Sequence, residues 1–165
     1  MIPCDSHSLQ VIEAQNYDNG SEIAKHLKEL EDDPTLYGWG SWLVQQKSDG
    51  AIIGDAGFKG KPNSGHEVEV GYGFLETYWA KGYATEAVEG LVDWALKGMA
   101  VKKVIAETKM DNIGSIRVLE KVGMKKTQVT GDMIYWELTS SNAEYGVNFA
   151  IEPTELGNIE VAVFI

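Results

Sequence analysis

The sequence predicts an α/β protein with one mixed β-sheet and helices on both of its faces. Segments in which apolar residues alternate, as in strands, are interspersed with segments in which they recur at helical spacing. Some successive strands are close enough to form hairpins, whereas others are separated by a helix, and this combination gives a sheet of mixed direction. The 165 residues, 44% of them apolar, are sufficient for one globular domain with a proper core.

The predicted elements follow the order β-α-β-β-β-α-β-α-β. Strands are predicted over residues 9–13, 42–46, 51–59, 67–75, 103–108 and 133–138, and helices over 21–30, 83–96 and 115–122. Ser21 is the expected N-cap of the first helix, Pro34 follows its end, and Gly123 closes the last helix. The turn at residues 47–50 joins two of the strands as a hairpin.

Residues 140–165 form a separate β-rich extension in this prediction, after a main domain that covers residues 1–139. Apolar residues alternate over residues 145–151 and again over 159–165, on either side of Pro153. An added hairpin, a strand exchanged between subunits and an edge buried in a homodimer all fit this pattern.

The net charge of −11 is unevenly distributed. Residues 1–50 contain nine acidic and three basic side chains, whereas residues 101–139 contain five acidic and seven basic ones. The acidic surplus argues against a nucleic-acid-binding protein, which relies on basic side chains. Two explanations stay open: simple solubility, or an acidic half that attracts a cationic amine beside a basic half that receives an anionic cofactor.

Nothing in the sequence indicates a membrane or secreted protein. No apolar run approaches the roughly 20 residues of a membrane-spanning helix, and the N-terminus lacks the basic and apolar regions of a signal peptide. The single cysteine, Cys4, cannot form an internal disulfide. We therefore expect a cytoplasmic protein that binds neither nucleic acid nor membrane, and we predict no metal site.

The segment Gly71–Ala87 carries the strongest functional signal. It reads as a strand, a short turn and the start of a helix, with Lys81 and Gly82 where the helix begins. A helix N-terminus has unpaired N–H groups and partial positive charge; a glycine there lets an anion approach, and a lysine neutralises part of its charge. The segment therefore predicts a phosphate-binding turn, and it is neither a Walker loop nor a dinucleotide fingerprint.

Two more segments accompany this turn in a fixed order: Val68–Tyr72 before it and Asp111–Met124 after it. Together they resemble the GNAT superfamily of acetyl-CoA-dependent N-acetyltransferases, most closely the branch of ribosomal-protein alanine and serine N-acetyltransferases. The resemblance is strong over residues 67–124 and extends over 8–138. It implies the GNAT fold, acetyl-CoA as co-substrate and an acceptor that is a small-molecule amine or a peptide N-terminus. Family members usually have two helices after the first strand, and here that stretch looks short.

The resemblance assigns the cofactor to two groups of residues. The turn is implied to anchor the pyrophosphate, mostly through backbone N–H groups, at Lys81, Gly82, Tyr83, Ala84 and Thr85. The preceding strand is implied to splay from its neighbour and to lie beside the pantetheine arm at Gly73, Phe74 and Leu75. Gly71 and Gly73 also fit a bulged strand that a ligand approaches closely.

The resemblance also assigns the catalytic residues. It points Glu69 toward the acceptor as the general base, acting directly or through a water, with Glu67 on the same strand face as the reserve. Asn112 and Ser115 match an Asn-x-x-Ser motif that orients the cofactor arm and reaches its sulfur. Each assignment has a simpler alternative: the glutamates as solvated strand carboxylates, and Asn112 and Ser115 as helix caps alone.

Two positions depart from the family pattern. Leu119 stands where many members have a tyrosine that protonates the leaving thiolate, and residues 123–128 lack the glutamate typical of relatives that acetylate ribosomal proteins. We expect an N-acetyltransferase that transfers an acetyl group from acetyl-CoA to a primary amine directly, within a ternary complex. The alternative is a catalytically silent acyl-CoA-binding or assembly module, which would bind the cofactor without turnover.

Overall fold

The computed structural model describes residues 1–18 and 20–140. These residues form a seven-stranded mixed sheet of order β1-β2-β3-β4-β5-β7-β6 with α-helices on both faces, which confirms the predicted fold class. The elements are β1 Ile2–Pro3, α1 Ser8–Ala14, α2 Glu22–Asp32, β2 Ser41–Gln45, β3 Ile52–Phe58, β4 Glu67–Phe74, α3 Tyr83–Lys97, β5 Lys103–Lys109, α4 Ile113–Val122, β6 Lys125–Thr130 and β7 Met133–Thr139. Within the described ranges, no helix is long and apolar enough to cross a membrane. The predicted extension lies, from residue 141 onward, outside the described residues.

The sheet opens into a wedge at its centre. β4 and β5 are parallel neighbours joined through α3, and every other neighbouring pair is antiparallel. The pairing of β4 with β5 ends at Glu69–Ile105, whereas its pairing with β3 continues to Gly54–Phe74. The second half of β4 is therefore paired on one edge only, as the resemblance implied.

Two apolar cores cover the two faces of the sheet. The larger core contains residues of α3, α4 and the sheet, among them Leu91, Leu119 and Trp136, all 1% exposed or less. The smaller core packs α1 and α2 against β2 and β3 through Ile12, Ile23 and other residues. Burying one large apolar side chain contributes about 1.5–3 kcal/mol, so both layers stabilise the central strands. The even-numbered residues Val68 and Val70 of β4 face the larger core, which leaves the odd-numbered residues on the opposite face.

The prediction of a first strand at residues 9–13 is wrong, because these residues lie within α1. Ser8 and Ile12, one helical turn apart, are buried, while Leu9 is 43% exposed. Five residues are too few to distinguish a period of two from a helical period. The first strand is instead Ile2–Pro3, and both α1 and α2 fit into the stretch that looked short for two helices.

Strand β6 was not among the predicted elements. All six of its residues are exposed, so it has no alternation of apolar side chains to reveal it. It is the last strand of the sheet and begins with two lysines, a composition typical of edge strands. The bulge expected at Gly71 and Gly73 is absent from the β3–β4 pairing; the register shifts lie at 44/45 in β2 and at 126–128 in β6. The other predicted elements agree with the structure to within two residues at each end.

Candidate active site

The backbone of β4 lines the wedge between β4 and β5. Glu69 O accepts a hydrogen bond from the residue that follows β3, and Leu75 N donates to β3, so the odd-numbered residues of β4 bond toward β3. Backbone groups alternate in direction along a strand, and the N–H groups of Tyr72 and Phe74 consequently point into the wedge. In the described part of the chain no strand partner meets them there, since pairing with β5 has already ended. The wedge thus has a row of hydrogen-bonding groups along one wall.

The three residues predicted to lie beside the pantetheine arm, Gly73, Phe74 and Leu75, differ in how they face the wedge. Phe74 directs its N–H into the wedge, whereas Leu75 N is occupied by its bond to β3. Gly73 is exposed, and a Cβ added at Gly73 or Gly71 would meet no atom within 4 Å, so open space lies beside both. The sequence analysis missed Tyr72, although strand alternation counted from Phe74 would have found it.

The predicted phosphate-binding turn sits at the N-terminus of α3. Gly82 is the N-cap with φ +89°, a left-handed conformation that favours glycine, and no side chain caps the helix. The backbone N–H groups of the first turn, at Tyr83, Ala84 and Thr85, therefore have no side-chain acceptor at the cap. A Cβ at Gly82 would meet nothing within 4 Å. A helix N-terminus of this kind binds anions through its N–H groups and its dipole.

Aromatic side chains hold the lysine of this turn. Lys81 Nζ lies 5.5 Å from the centre of the Tyr78 ring, and Tyr78 packs edge-on against Tyr83 at 5.9 Å. The Tyr83 hydroxyl in turn accepts a hydrogen bond of 3.1 Å from Gln46 Nε2. The positive charge of Lys81 is thereby kept beside the start of α3, where it would neutralise part of a phosphate charge.

Asn112 and Ser115 lie at the start of α4, across the wedge from β4. Asn112 is the N-cap, and its Oδ1 accepts a hydrogen bond of 3.0 Å from Ser115 N, so the capping role is present. The Tyr72 hydroxyl donates to Ser115 O at 3.3 Å and links β4 to the first turn of α4. Burial raises the pKa of Tyr72, which keeps this hydroxyl protonated at neutral pH. Leu119, one turn further along, is fully buried and belongs to the core.

Glu67 and Glu69 lie on the face of β4 opposite the larger core, and each is paired with a lysine. Glu69 forms a salt bridge with Lys59, and its side chain is 21% exposed. Glu67 Oε1 lies 2.9 Å from Lys103 Nζ, and this hydrogen bond lowers the pKa of Glu67. Neither carboxylate is a simple solvated one, and Glu69 must share its charge between Lys59 and any acceptor.

The chain is similar to known acetyltransferases over most of the described domain. The family model for the acetyltransferase (GNAT) domain matches residues 10–125. The uncharacterized N-acetyltransferase YjdG of Bacillus subtilis (strain 168) is 32% identical over 99 residues, which cover 60% of this chain and 59% of that protein. The chain spans about half the length of the relatives that it matches.

Solved structures share the fold. A GNAT-family acetyltransferase from Bacillus anthracis superposes with a TM-score of 0.56 and 25% identity, over 61% of this chain and 66% of that one. The ribosomal-protein-S5-alanine acetyltransferase from Vibrio fischeri has a TM-score of 0.61 and 22% identity, over 72% of this chain and 70% of that one. The spermidine N-acetyltransferase from Vibrio cholerae, in complex with CoA and spermine, has a TM-score of 0.65 and 12% identity, over 85% of this chain and 94% of that one. With the domain match, the wedge and the uncapped helix start in place, the chain belongs to the GNAT acetyltransferase family.

Proposed function

We propose that this protein is an N-acetyltransferase that moves an acetyl group from acetyl-CoA to a primary amine. One observation carries the proposal: the open backbone edge of β4 is followed along the chain by the N-terminus of α3, which no side chain caps. A ligand with a peptide-like arm at one end and a pyrophosphate at the other matches this sequence of groups. No side chain obstructs it at Gly73 or Gly82, so the residues present fit the cofactor.

The proposed roles of the cofactor-binding residues follow from their positions. Lys81 and the first turn of α3, through Gly82, Tyr83, Ala84 and Thr85, hold the pyrophosphate. The N–H groups of Tyr72 and Phe74 bind the arm and stabilise the negative charge that develops on the thioester oxygen. Gly73 provides clearance for the arm, and Leu75 ends the strand. The CoA bound in the Vibrio cholerae neighbour supports this assignment.

In the proposed reaction, Glu69 takes a proton from the acceptor ammonium, directly or through a water, as its contact with Lys59 loosens. The amine nitrogen then bonds to the acetyl carbon, the carbon–sulfur bond breaks, the sulfur leaves with the electron pair, and the nitrogen, now positively charged, releases a second proton to give the amide. Asn112 and Ser115 orient the arm from the start of α4. Because Leu119 has no proton to donate, the thiolate takes its proton from the Ser115 hydroxyl or from water, and the second proton released by the nitrogen restores that donor.

We propose a cationic primary amine as the acceptor, either a small amine or a peptide N-terminus. The net charge of −11 supports attraction of a cation. Spermidine and ribosomal-protein alanine acetyltransferases both share the fold, so each acceptor class has a structural precedent. The ribosomal-protein branch stays the proposed subgroup, with residues 1–139 as the catalytic domain and 140–165 as an extension that could join two subunits. A cytoplasmic location is part of this proposal.

A silent acyl-CoA-binding module is the rival function. Two observations favour it: the burial of Leu119 where an acid would stand, and the pairing of Glu69 with Lys59. Turnover separates the two functions, because a binding module binds acetyl-CoA and releases no free CoA when amines are added.

Calorimetric titration with acetyl-CoA tests the cofactor site. We expect the wild type to bind, and Gly82→Glu to bind at least tenfold more weakly, because a carboxylate would then lie where the pyrophosphate binds. Gly60→Glu is the matched control: Gly60 also has positive φ and open space, but it lies beyond the far end of β3. No binding by a folded wild type, or equal losses in both variants, would contradict the proposal. Release of free CoA with a panel of amines then tests for catalysis.

A further inference from the structure

One carboxylate on the open face of β3 and β4 has a different environment from the others. Asp55 of β3 is the direct cross-strand partner of Gly73, and such partners lie on the same face of a sheet about 5 Å apart. Gly73 is exposed and has open space where a side chain would be. The Asp55 carboxylate consequently borders the bare stretch of β4 that forms the wall of the wedge.

Asp55 is held by a neutral donor. The Tyr17 hydroxyl, from the connection between α1 and α2, donates a hydrogen bond of 2.6 Å to Asp55 Oδ2. Glu67 and Glu69, by contrast, each form a salt bridge with a lysine. Within residues 1–18 and 20–140, no salt bridge involves Asp55.

The surroundings of Asp55 leave its charge uncompensated. Asp55 is half-buried, and burial raises its pKa by more than the Tyr17 hydrogen bond lowers it, with Glu22 at the start of α2 adding to the rise. Tyr17 stays protonated, because burial and Asp55 both raise its pKa. A partly buried carboxylate without a cationic partner is costly, and a bound ammonium group relieves that cost.

Asp55 and Glu69 lie on the same face of the sheet, with Gly71 and Gly73 between them. Glu69 precedes Gly73 by four residues on the same face of β4, which corresponds to about 13 Å along the strand. Gly71 and Gly73, between them, have no side chains to fill this space. A flexible molecule with an ammonium group at each end could therefore contact both carboxylates, with its near end taking the place of Lys59 at Glu69.

We infer that Asp55, positioned by Tyr17, binds a second cationic group of the acceptor and makes the enzyme specific for amines with two positive charges. This inference rests on the proposed function, which places the reacting amine near Glu69. The acceptor class is a flexible diamine, whose far ammonium group contacts Asp55 while the near one loses its proton.

Binding of two probes that differ only in the second charge tests this inference. Hexamethylenediamine and hexylamine are titrated into the protein saturated with CoA, and we expect the diamine to bind about tenfold more tightly. Asp55→Asn should lower the diamine affinity to that of hexylamine and leave hexylamine unchanged. Tyr17→Phe keeps the carboxylate but loses its donor, so it should reduce the preference by a smaller factor. Glu31→Gln, which removes one charge from an exposed position of α2, should retain the full preference.

Turnover gives a second readout. With the diamine as acceptor, Asp55→Asn should raise KM about tenfold and leave kcat unchanged. The inference is overturned if the wild type does not bind the diamine, binds both probes equally, or keeps its preference in a folded Asp55→Asn variant. It is also overturned if Asp55→Asn lowers kcat for both amines, because Asp55 would then take part in the chemistry. Failure to bind acetyl-CoA would instead contradict the proposed function, so the two failures are distinguishable.

Discussion

Glu69 is the residue on which the chemistry of the proposed reaction depends most directly. Its position on β4 places it beside the wedge, but its charge is shared with Lys59. This pairing orients the carboxylate before the acceptor arrives, and an ammonium group would compete with Lys59 for it. The residue therefore combines a structural contact with Lys59 and the proposed role of proton acceptor.

We expect Glu69→Gln to lower kcat by about 10²- to 10⁴-fold, the usual contribution of a general base. Acetyl-CoA affinity should change little, because the variant leaves the wedge backbone and the turn intact. Activity of the variant should rise with pH, since a larger fraction of the amine is then already deprotonated. Steady-state kinetics between about pH 7 and pH 10 check this, with Glu13→Gln at an exposed position of α1 as control. A kcat within threefold of the wild type would mean that another group or water accepts the proton.

At the scale of elements, α2 is docked through a buried histidine. His26 is 7% exposed, and its Nε2 has no hydrogen-bond partner among the described residues. Its ring lies so close to Gly40 that a Cβ there would approach Nδ1 to 2.0 Å. Burial lowers the pKa of His26, and Glu29 opposes this effect only in part. The helix therefore packs best with an uncharged imidazole.

This environment predicts a pH-dependent stability. The pKa of His26 is lower in the folded than in the unfolded chain, so the unfolded chain binds the proton more readily as the pH falls below about 6.5. The free energy of unfolding should consequently decrease as the pH falls through this range. Urea unfolding at about pH 8 and about pH 5.5 measures the decrease, which His26→Gln should reduce. The control His7→Gln, at an exposed position, should show the same decrease in the free energy of unfolding as the wild type. If His26→Gln also shows the full decrease, groups other than His26 cause it.

For the whole molecule, the wedge couples cofactor binding to stability. The two halves of the sheet are joined at β4 and β5 by three residue pairs only, and Tyr72 adds one hydrogen bond from β4 to α4. A ligand that bonds to the free edge of β4 and to the start of α3 would replace the missing strand contacts. Binding to the folded chain alone must also shift the folding equilibrium toward the native state.

Acetyl-CoA should therefore raise the melting temperature. At a concentration of about 100 times its Kd, the free energy of unfolding should increase by about 2.7 kcal/mol. Thermal denaturation over a series of acetyl-CoA concentrations measures this increase, and Gly82→Glu should abolish it. CoA fragments that lack the pyrophosphate provide a control, and they should raise the melting temperature less, since they lack the group that the start of α3 is proposed to bind. An increase that persists in Gly82→Glu would place the cofactor elsewhere.

The sequence by itself determined the features that depend on short-range constraints. A glycine at the start of α3, an asparagine cap and a glycine end on α4, and the extended conformation of β4 could be predicted from the sequence, because each reflects local backbone preferences. Two elements could not be predicted from the sequence. The edge strand β6 has no pattern of buried apolar residues, and the helix at residues 8–14 is too short to reveal its period.

Only the tertiary structure decided which groups meet at the candidate site. Tyr17 reaches Asp55 across 38 residues of chain, and Tyr72 reaches Ser115 across 43. The partner of Glu69 follows from the register of β3 against β4, and the wedge follows from the early end of the β4–β5 pairing. These contacts depend on how distant segments pack, whereas a local pattern constrains only the conformation of its own segment.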